Sequence, residues 1–396
     1  MKKIAIVNQR YGAEVNGGSE LYAKMLAEHL SRKYEVTILT TTAKDYDTWK
    51  NYYPAGEEAG QQFKVNRFPV MKTRKKWAFR VVNKMHSILG GCMDSFWVRQ
   101  QGPYAPGLVE YIRKNKDTYD GFLFITYLYY PTVCGLPYVA DKAILVPTAH
   151  DEPYIYFPIY KDIFCRNRGI AYLTSEEKAF VEKLFGNQER NNVVIGVGID
   201  IPHEFLKEES RKKRVRQAEE QFQLPFPYII YAGRIDTGKN CDEMFCYYKK
   251  YKERNPDSKL HLVLIGQNMM PIPDGSDMHY LGFVSENDKY ALLAGARCLW
   301  MPSQYESLSI ALLEGMRLGV PGIVNGRCEV LKGHCVKSRG AFYYTNYEEF
   351  ELHLRKVEKC SFHEYNEICN NARNYVEENY HWDIVMNKLE QLIERI

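Results

Sequence analysis

The chain has 396 residues, of which 45% are hydrophobic and 26% charged, and its formal net charge is +4. That length exceeds what one hydrophobic core supports and predicts two domains. The composition is that of an ordinary globular protein, and so small a net charge excludes a chain-wide attraction to nucleic acid.

Taken in order, the chain opens with a strand over 3–7, whose four apolar residues are too few for the core of a signal peptide. A loop through Gly17 and Gly18 leads to a helix over 19–32, with Leu21, Met25, Leu26, Ala27 and Leu30 at helical spacing and Ser19 as its cap. Further strands are predicted over 35–40, 63–68, 121–126, 143–147, 171–173 and 193–195. The long uncharged stretch 121–139 carries Pro131, Gly135 and Pro137, which makes it a buried strand followed by a loop rather than a membrane span. Between them lies a basic, aromatic segment, 72–84, in which Lys72, Arg74, Lys75, Lys76, Arg80 and Lys84 flank Trp77 and Phe79. It reads either as a solvated face or as a peripheral contact with an anionic membrane.

The charge run 207–216 reads as a solvated linker or helix and places a domain boundary near residue 205. Beyond it the plan repeats. Strands are predicted over 228–232, 260–265, 279–283, 298–301 and 319–324, and helices over 241–254, 286–294 and 308–318. A terminal amphipathic helix follows from Ile384, Met386, Leu389, Leu392 and Ile393. Strands alternating with helices predict α/β domains built on parallel sheets. The division is 1–205, 206–375 and a closing segment, 376–396, packing back toward the first domain. Ten cysteines without a CxxC pair predict reduced thiols and a cytoplasmic protein. Cys328, His334 and Cys335 fit no zinc spacing.

The chemistry concentrates in Pro302-Ser303-Gln304-Tyr305-Glu306-Ser307-Leu308-Ser309-Ile310-Ala311-Leu312-Leu313-Glu314. Glu314 lies inside an apolar helix and Glu306 just before it. A buried carboxylate must be paired or bind something. Eight residues of helix separate the two by about 12 Å, too far to share a proton but suited to two ends of an elongated ligand. Free helix amides between them favour an anion. Arg317 and Lys332 are the alternative, purely structural partners. Upstream, Gly233-Arg234-Ile235-Asp236-Thr237-Gly238-Lys239 places two cations on the turn after a strand, where ligands bind in open α/β sheets. Guanidinium and ammonium groups converging there suit a diphosphate.

This constellation resembles the retaining nucleotide-sugar glycosyltransferases of the GT-B fold, family 4 (group 1). The loop Val15-Asn16-Gly17-Gly18-Ser19-Glu20 is similar to that family's glycine-glycine loop, and His150-Asp151 to its histidine-aspartate motif. Gly196-Val197-Gly198-Ile199-Asp200 resembles its segment before the hinge, and Gly282-Phe283-Val284 its nucleobase segment. Glu306 and Glu314 form the E-x7-E signature, followed by Gly319-Val320-Pro321. Leu308-Ser309 and Gly315 depart from the family's phenylalanine-glycine and alanine.

The resemblance implies two Rossmann-like domains facing a cleft. It also implies that Arg234 and Lys239 neutralise the leaving diphosphate, with amides of Gly17, Gly18 and Gly233 alongside. Glu314 would take the ribose hydroxyls, Phe283 and Val284 the base, and Glu306 the transferred sugar, next to the backbone of Leu308, Ser309 and Ile310. His150 would orient that sugar, with Asp151 and Tyr154 on the acceptor side. The donor would be UDP- or GDP-linked, and the acceptor a glycan or lipid-linked intermediate of surface polysaccharide assembly. Neither a divalent metal nor another cofactor is implied, and the triplet Asp45-Tyr46-Asp47 reads as a polar loop. Two rivals are an NAD-dependent enzyme and a catalytically silent sugar-binding scaffold. Against the first, the opening turn lacks G-x-G-x-x-G and strand 35–40 ends without an acid. Against the second, Arg234, Lys239, Glu306 and Glu314 are all present.

Overall fold

The computed structural model describes every residue except Asn16, Gln61, Pro225 and Ile396. The chain divides into two units, Met1–Gly196 with Asp383–Ile396, and Val197–Trp382. The boundary expected at residue 205 therefore falls inside the second unit.

The first unit is an eight-stranded sheet. Its strands are β1 (Lys3–Val7), β2 (Glu35–Thr41), β3 (Gly56–Ala59), β4 (Lys64–Phe68), β5 (Gly121–Ile125), β6 (Ala143–Val146), β7 (Gly169–Tyr172) and β8 (Asn191–Val194), in the order β3-β4-β2-β1-β5-β6-β7-β8. All pairs are parallel except β3 with β4. Strand β3, Gly-Glu-Glu-Ala, has no apolar signal and is fully exposed at the edge. The central strands are buried on both faces, and this explains their unbroken apolar runs. Below the sheet, Trp97, Phe122, Phe124, Leu145, Tyr160 and Phe164 form one core. The stretch after β5 is a short helix, Tyr130–Gly135, rather than a loop. Among the described residues no helix is long and apolar enough to cross a membrane.

The last helix spans Trp382–Glu394 and belongs to this unit from Asp383 onward. Val385, Leu389, Leu392 and Ile393 are buried. Glu390 accepts from Lys33 Nζ at 2.8 Å, and the Arg395 carbonyl from Arg168 at 2.9 Å.

The second unit is a six-stranded, all-parallel sheet of β9 (Tyr228–Ala232), β10 (His261–Ile265), β11 (Met278–Gly282), β12 (Cys298–Met301), β13 (Gly322–Asn325) and β14 (Ala341–Tyr344), in the order β11-β10-β9-β12-β13-β14. The order reverses between β9 and β12. In such sheets the crevice beyond the strands' carboxyl ends opens at that reversal. In the first unit the reversal lies between β1 and β5. The charge run after residue 207 is a helix, Glu208–Gln221, with only Ala218 buried.

Candidate functional site

At the reversal point of the second sheet, the turn after β9 carries Arg234 and Lys239, and the loop after β12 carries Glu306. Lys239 Nζ donates to Glu306 Oε1 at 2.6 Å and so closes the gap between the two strands. The turn is tied down from within. Asp236 caps the single 3-10 turn Thr237–Lys239 by accepting the Lys239 amide at 2.8 Å, and its carboxylate also takes the Arg234 guanidinium. Tyr231 Oη donates to the Arg234 carbonyl at 2.6 Å. Gly266, at φ +123°, lies so close that a Cβ there would fall 2.1 Å from the Gly233 oxygen. Only glycine lets this neighbouring loop press against the turn.

The glutamate helix spans Ile310–Arg317, two residues later than expected. The reason is Ser309. It stands at the N-cap in the left-handed region, φ 70° and ψ 78°, where the family resemblance places glycine. Glu314 therefore lies one turn inside the helix. It is buried, accepting from Lys289 Nζ at 2.7 Å and from Tyr290 Oη at 3.2 Å. Burial, reinforced by the Glu314 charge, raises the Tyr290 phenol well above its usual range and keeps it a donor. The structural partners considered from sequence lie elsewhere, Arg317 on Glu377 and Lys332 on Glu329.

Lys289, Tyr290 and Asp236 thus complete a site that sequence reasoning left unfinished. A sequence signal did exist for Asp236, which lies between the two cations. His334, whose spacing fits no zinc site, turns its Nε2 to the Leu308 carbonyl at 2.9 Å and its Nδ1 to Tyr375 Oη at 3.0 Å. The imidazole holds the backbone beside Ser309. Phe283 and Val284 follow β11 at its carboxyl end, and the Phe283 ring is exposed.

In the first unit, Gly17 is the N-cap of helix Gly18–Leu30, so the cap is not Ser19, whose Oγ instead donates to Glu20 at 2.8 Å. A Cβ on Gly17 would lie 2.0 Å from Glu20 Oε2. Beneath this loop a buried Glu20 binds Arg10 at 2.6 Å and Gln9 at 2.9 Å. Gln9 in turn accepts from Thr126 Oγ1 across the β1–β5 reversal. Asn16 lies outside the described residues.

His150 follows β6, beyond Thr148, which is itself left-handed at φ 51°. The carboxylate beside its Nδ1 is Glu152, at 3.6 Å, and not Asp151, which accepts from Tyr156 Oη at 2.6 Å. Glu152 is oriented by Tyr127 Oη at 2.5 Å. The fully buried Glu177 accepts the Ala149 amide at 2.5 Å and the Leu173 amide at 2.7 Å, fixing the backbone on which His150 sits. Tyr154 packs on Trp97 at 4.9 Å between centroids. Asp45 accepts from Thr48, and Asp47 pairs with Lys76 at 2.7 Å, so both acids of the triplet are held by protein groups.

Chemically, the second unit offers three cations, Arg234, Lys239 and Lys289, and two carboxylates, Glu306 and Glu314, that the lysines hold. Residues 212–375, most of that unit, match the family described as Glycosyl transferases group 1. An uncharacterised glycosyltransferase of Methanocaldococcus jannaschii, MJ1607, is 24% identical over 96% of this chain and 95% of its own. Mannosylfructose-phosphate synthase of Agrobacterium fabrum is 22% identical over 35% of this chain, a match spanning only 34% of that enzyme. Anabaena HepE, whose structure holds UDP and glucose, superposes with a TM-score of 0.69 at 14% identity over the full length of both chains. The fold is that of the GT-B glycosyltransferases, and the second unit carries a group 1 domain.

Proposed function

We propose that the protein is a retaining, metal-independent glycosyltransferase. It moves a sugar from a UDP- or GDP-linked donor to a hydroxyl of a glycan or lipid-linked acceptor, in surface polysaccharide assembly. The observation that carries this reading is the Lys239–Glu306 pair bridging the reversal point of the second sheet, with Arg234 on the same turn.

In this reading the bond from the sugar's anomeric carbon to the diphosphate breaks. A bond to the acceptor oxygen forms on the same face, and the acceptor's proton passes to the departing phosphate. The developing charge falls on that phosphate. Preorganised cations and amides stabilise such charge, and one donor of this kind is worth about 10²–10³ in rate. Arg234 and Lys239 supply the cations, assisted by the amide of Gly233. Two fixed side-chain charges take the place that a divalent ion fills elsewhere. Glu314 accepts from the ribose hydroxyls, Phe283 and Val284 contact the base, and Glu306 meets the transferred sugar beside Leu308, Ser309 and Ile310. His150, braced by Glu152, orients the sugar, with Asp151 and Tyr154 toward the acceptor.

The test is a panel of UDP- and GDP-sugars with chelator present, scoring released nucleotide and, by proton NMR, the anomer formed. Turnover with the donor's anomeric configuration preserved is expected. An inverted product, or turnover abolished by chelation, overturns the corresponding element of the proposal.

A further inference from the structure

The helix Lys76–Leu89 is amphipathic in the wrong sense for a surface helix. Its buried residues are Val82 and His86. His86 stacks on Phe157 with ring centroids 3.7 Å apart and pairs with Asp94 at 2.6 Å, and Asn83 accepts from Trp97 Nε1 at 2.5 Å. The inner face is therefore fully occupied by the protein. At a helical pitch the opposite face collects Trp77, Val81, Met85 and Ile88. All four are exposed, Trp77 to 68% and Ile88 to 76%. A helix on a water-exposed surface places polar residues there.

Along the chain the charges flanking this stripe are of one sign, and of them Lys76 is paired with Asp47 from a neighbouring loop. From Phe68 through Met93 the chain has no acidic residue. Lys72, Lys75, Arg80 and Lys84 are exposed, and none makes an ion pair with a described residue. Arg74 is turned inward onto the Tyr46 and Asp47 carbonyls.

We infer that this face is a docking surface for an anionic lipid bilayer. The indole and the aliphatic stripe enter the headgroup region, while the cations beside them meet lipid phosphates. Long cationic side chains keep their charge at that level while their stems lie along apolar surface. A second copy of the chain fits poorly, since a two-fold contact would set this basic patch against itself.

The test uses the full chain with vesicles of phosphatidylcholine alone, and with vesicles in which about a third of the lipid is phosphatidylglycerol. Binding to the anionic vesicles, release by high salt and little binding to the neutral ones are expected. Trp77→Ser with Ile88→Ser, and separately Arg80→Glu with Lys84→Glu, are each expected to weaken partitioning at least about tenfold. Both double variants should leave the melting temperature and any nucleoside-diphosphate response unchanged, which keeps this inference separable from the catalytic one. Should a double variant fold poorly, quenching of wild-type fluorescence by brominated anionic lipid, lost in Trp77→Phe, reads the same contact. Equal binding to neutral vesicles, wild-type affinity in either folded double variant, undiminished quenching in Trp77→Phe, or dissociation of a dimer by the Trp77 and Ile88 changes would overturn it.

Discussion

Lys239 Nζ stands 2.6 Å from Glu306 Oε1, joining the turn after β9 to the loop after β12. The lysine is held by the carboxylate it would work beside, at the position where a diphosphate would compete for it. Lys239→Ala and Arg234→Ala are each expected to lower kcat by about 10²–10³-fold, the scale for losing one preorganised charge donor. Both side chains are 30–40% exposed, so water replaces them and the melting temperature should hold. Wild-type turnover in either variant would remove that residue from the site.

Glu314 is a different case, because it is 8% exposed and its partner Lys289 comes from another helix. Removing one partner of a buried pair strands the other charge, at a cost of about 3–5 kcal/mol when burial is complete. Lys289 is about a quarter exposed, so Lys289→Met is expected to cost roughly 2 kcal/mol in denaturant unfolding. Lys289→Met with Glu314→Gln should recover part of that loss. No recovery would mean that the pair is not coupled.

Ser309 pays for its left-handed backbone. A non-glycine residue there costs about 1–2 kcal/mol, so Ser309→Gly should fold at least as stably as the native chain. Ser309→Val should be destabilised by a further 1 kcal/mol or so, since a β-branched residue is a genuine outlier at that φ. Equilibrium unfolding in urea decides the order. A valine variant matching the glycine variant would contradict the strain.

Glu177 gives the fold a pH signature. Burial, outweighing the amides it accepts, lifts its carboxyl from 4.5 to about 8. The folded state then holds a proton that the unfolded state releases. The stability from this group is full below pH 4.5 and declines as pH rises to about 8. Melting temperatures across that range should fall for the native chain and vary less for Glu177→Gln. Parallel profiles would show that Glu177 does not titrate in the folded protein.

Much of the architecture was legible because the sheets are buried on both faces. Runs such as Ile4-Ala5-Ile6-Val7 and Tyr228-Ile229-Ile230-Tyr231-Ala232 are strand-length, apolar and followed by turns, and the structure places strands there. Strand β3 was invisible, because an exposed edge of Gly-Glu-Glu-Ala carries no hydrophobic period. The partners of the key carboxylates were illegible for another reason. Lys239 and Glu306 lie 67 residues apart, and Lys289 and Glu314 lie 25 apart. The sheet order brings the first pair together, and the packing of two consecutive helices the second. Local spacing pointed instead to Arg317 and Lys332. The backbone turn at Ser309 delayed the helix start, which no apolar count reveals.

The measurement that bears most directly on the proposed donor site is a thermal shift against UDP and GDP. A ligand bound only by the folded state adds about 2.7 kcal/mol of stability at a hundredfold excess over Kd. One of the two nucleotides should raise the melting temperature of the native chain by several degrees, and far less in Arg234→Ala with Lys239→Ala. If neither nucleotide moves the native transition, or the double variant responds as fully as the native chain, the diphosphate does not sit on these residues.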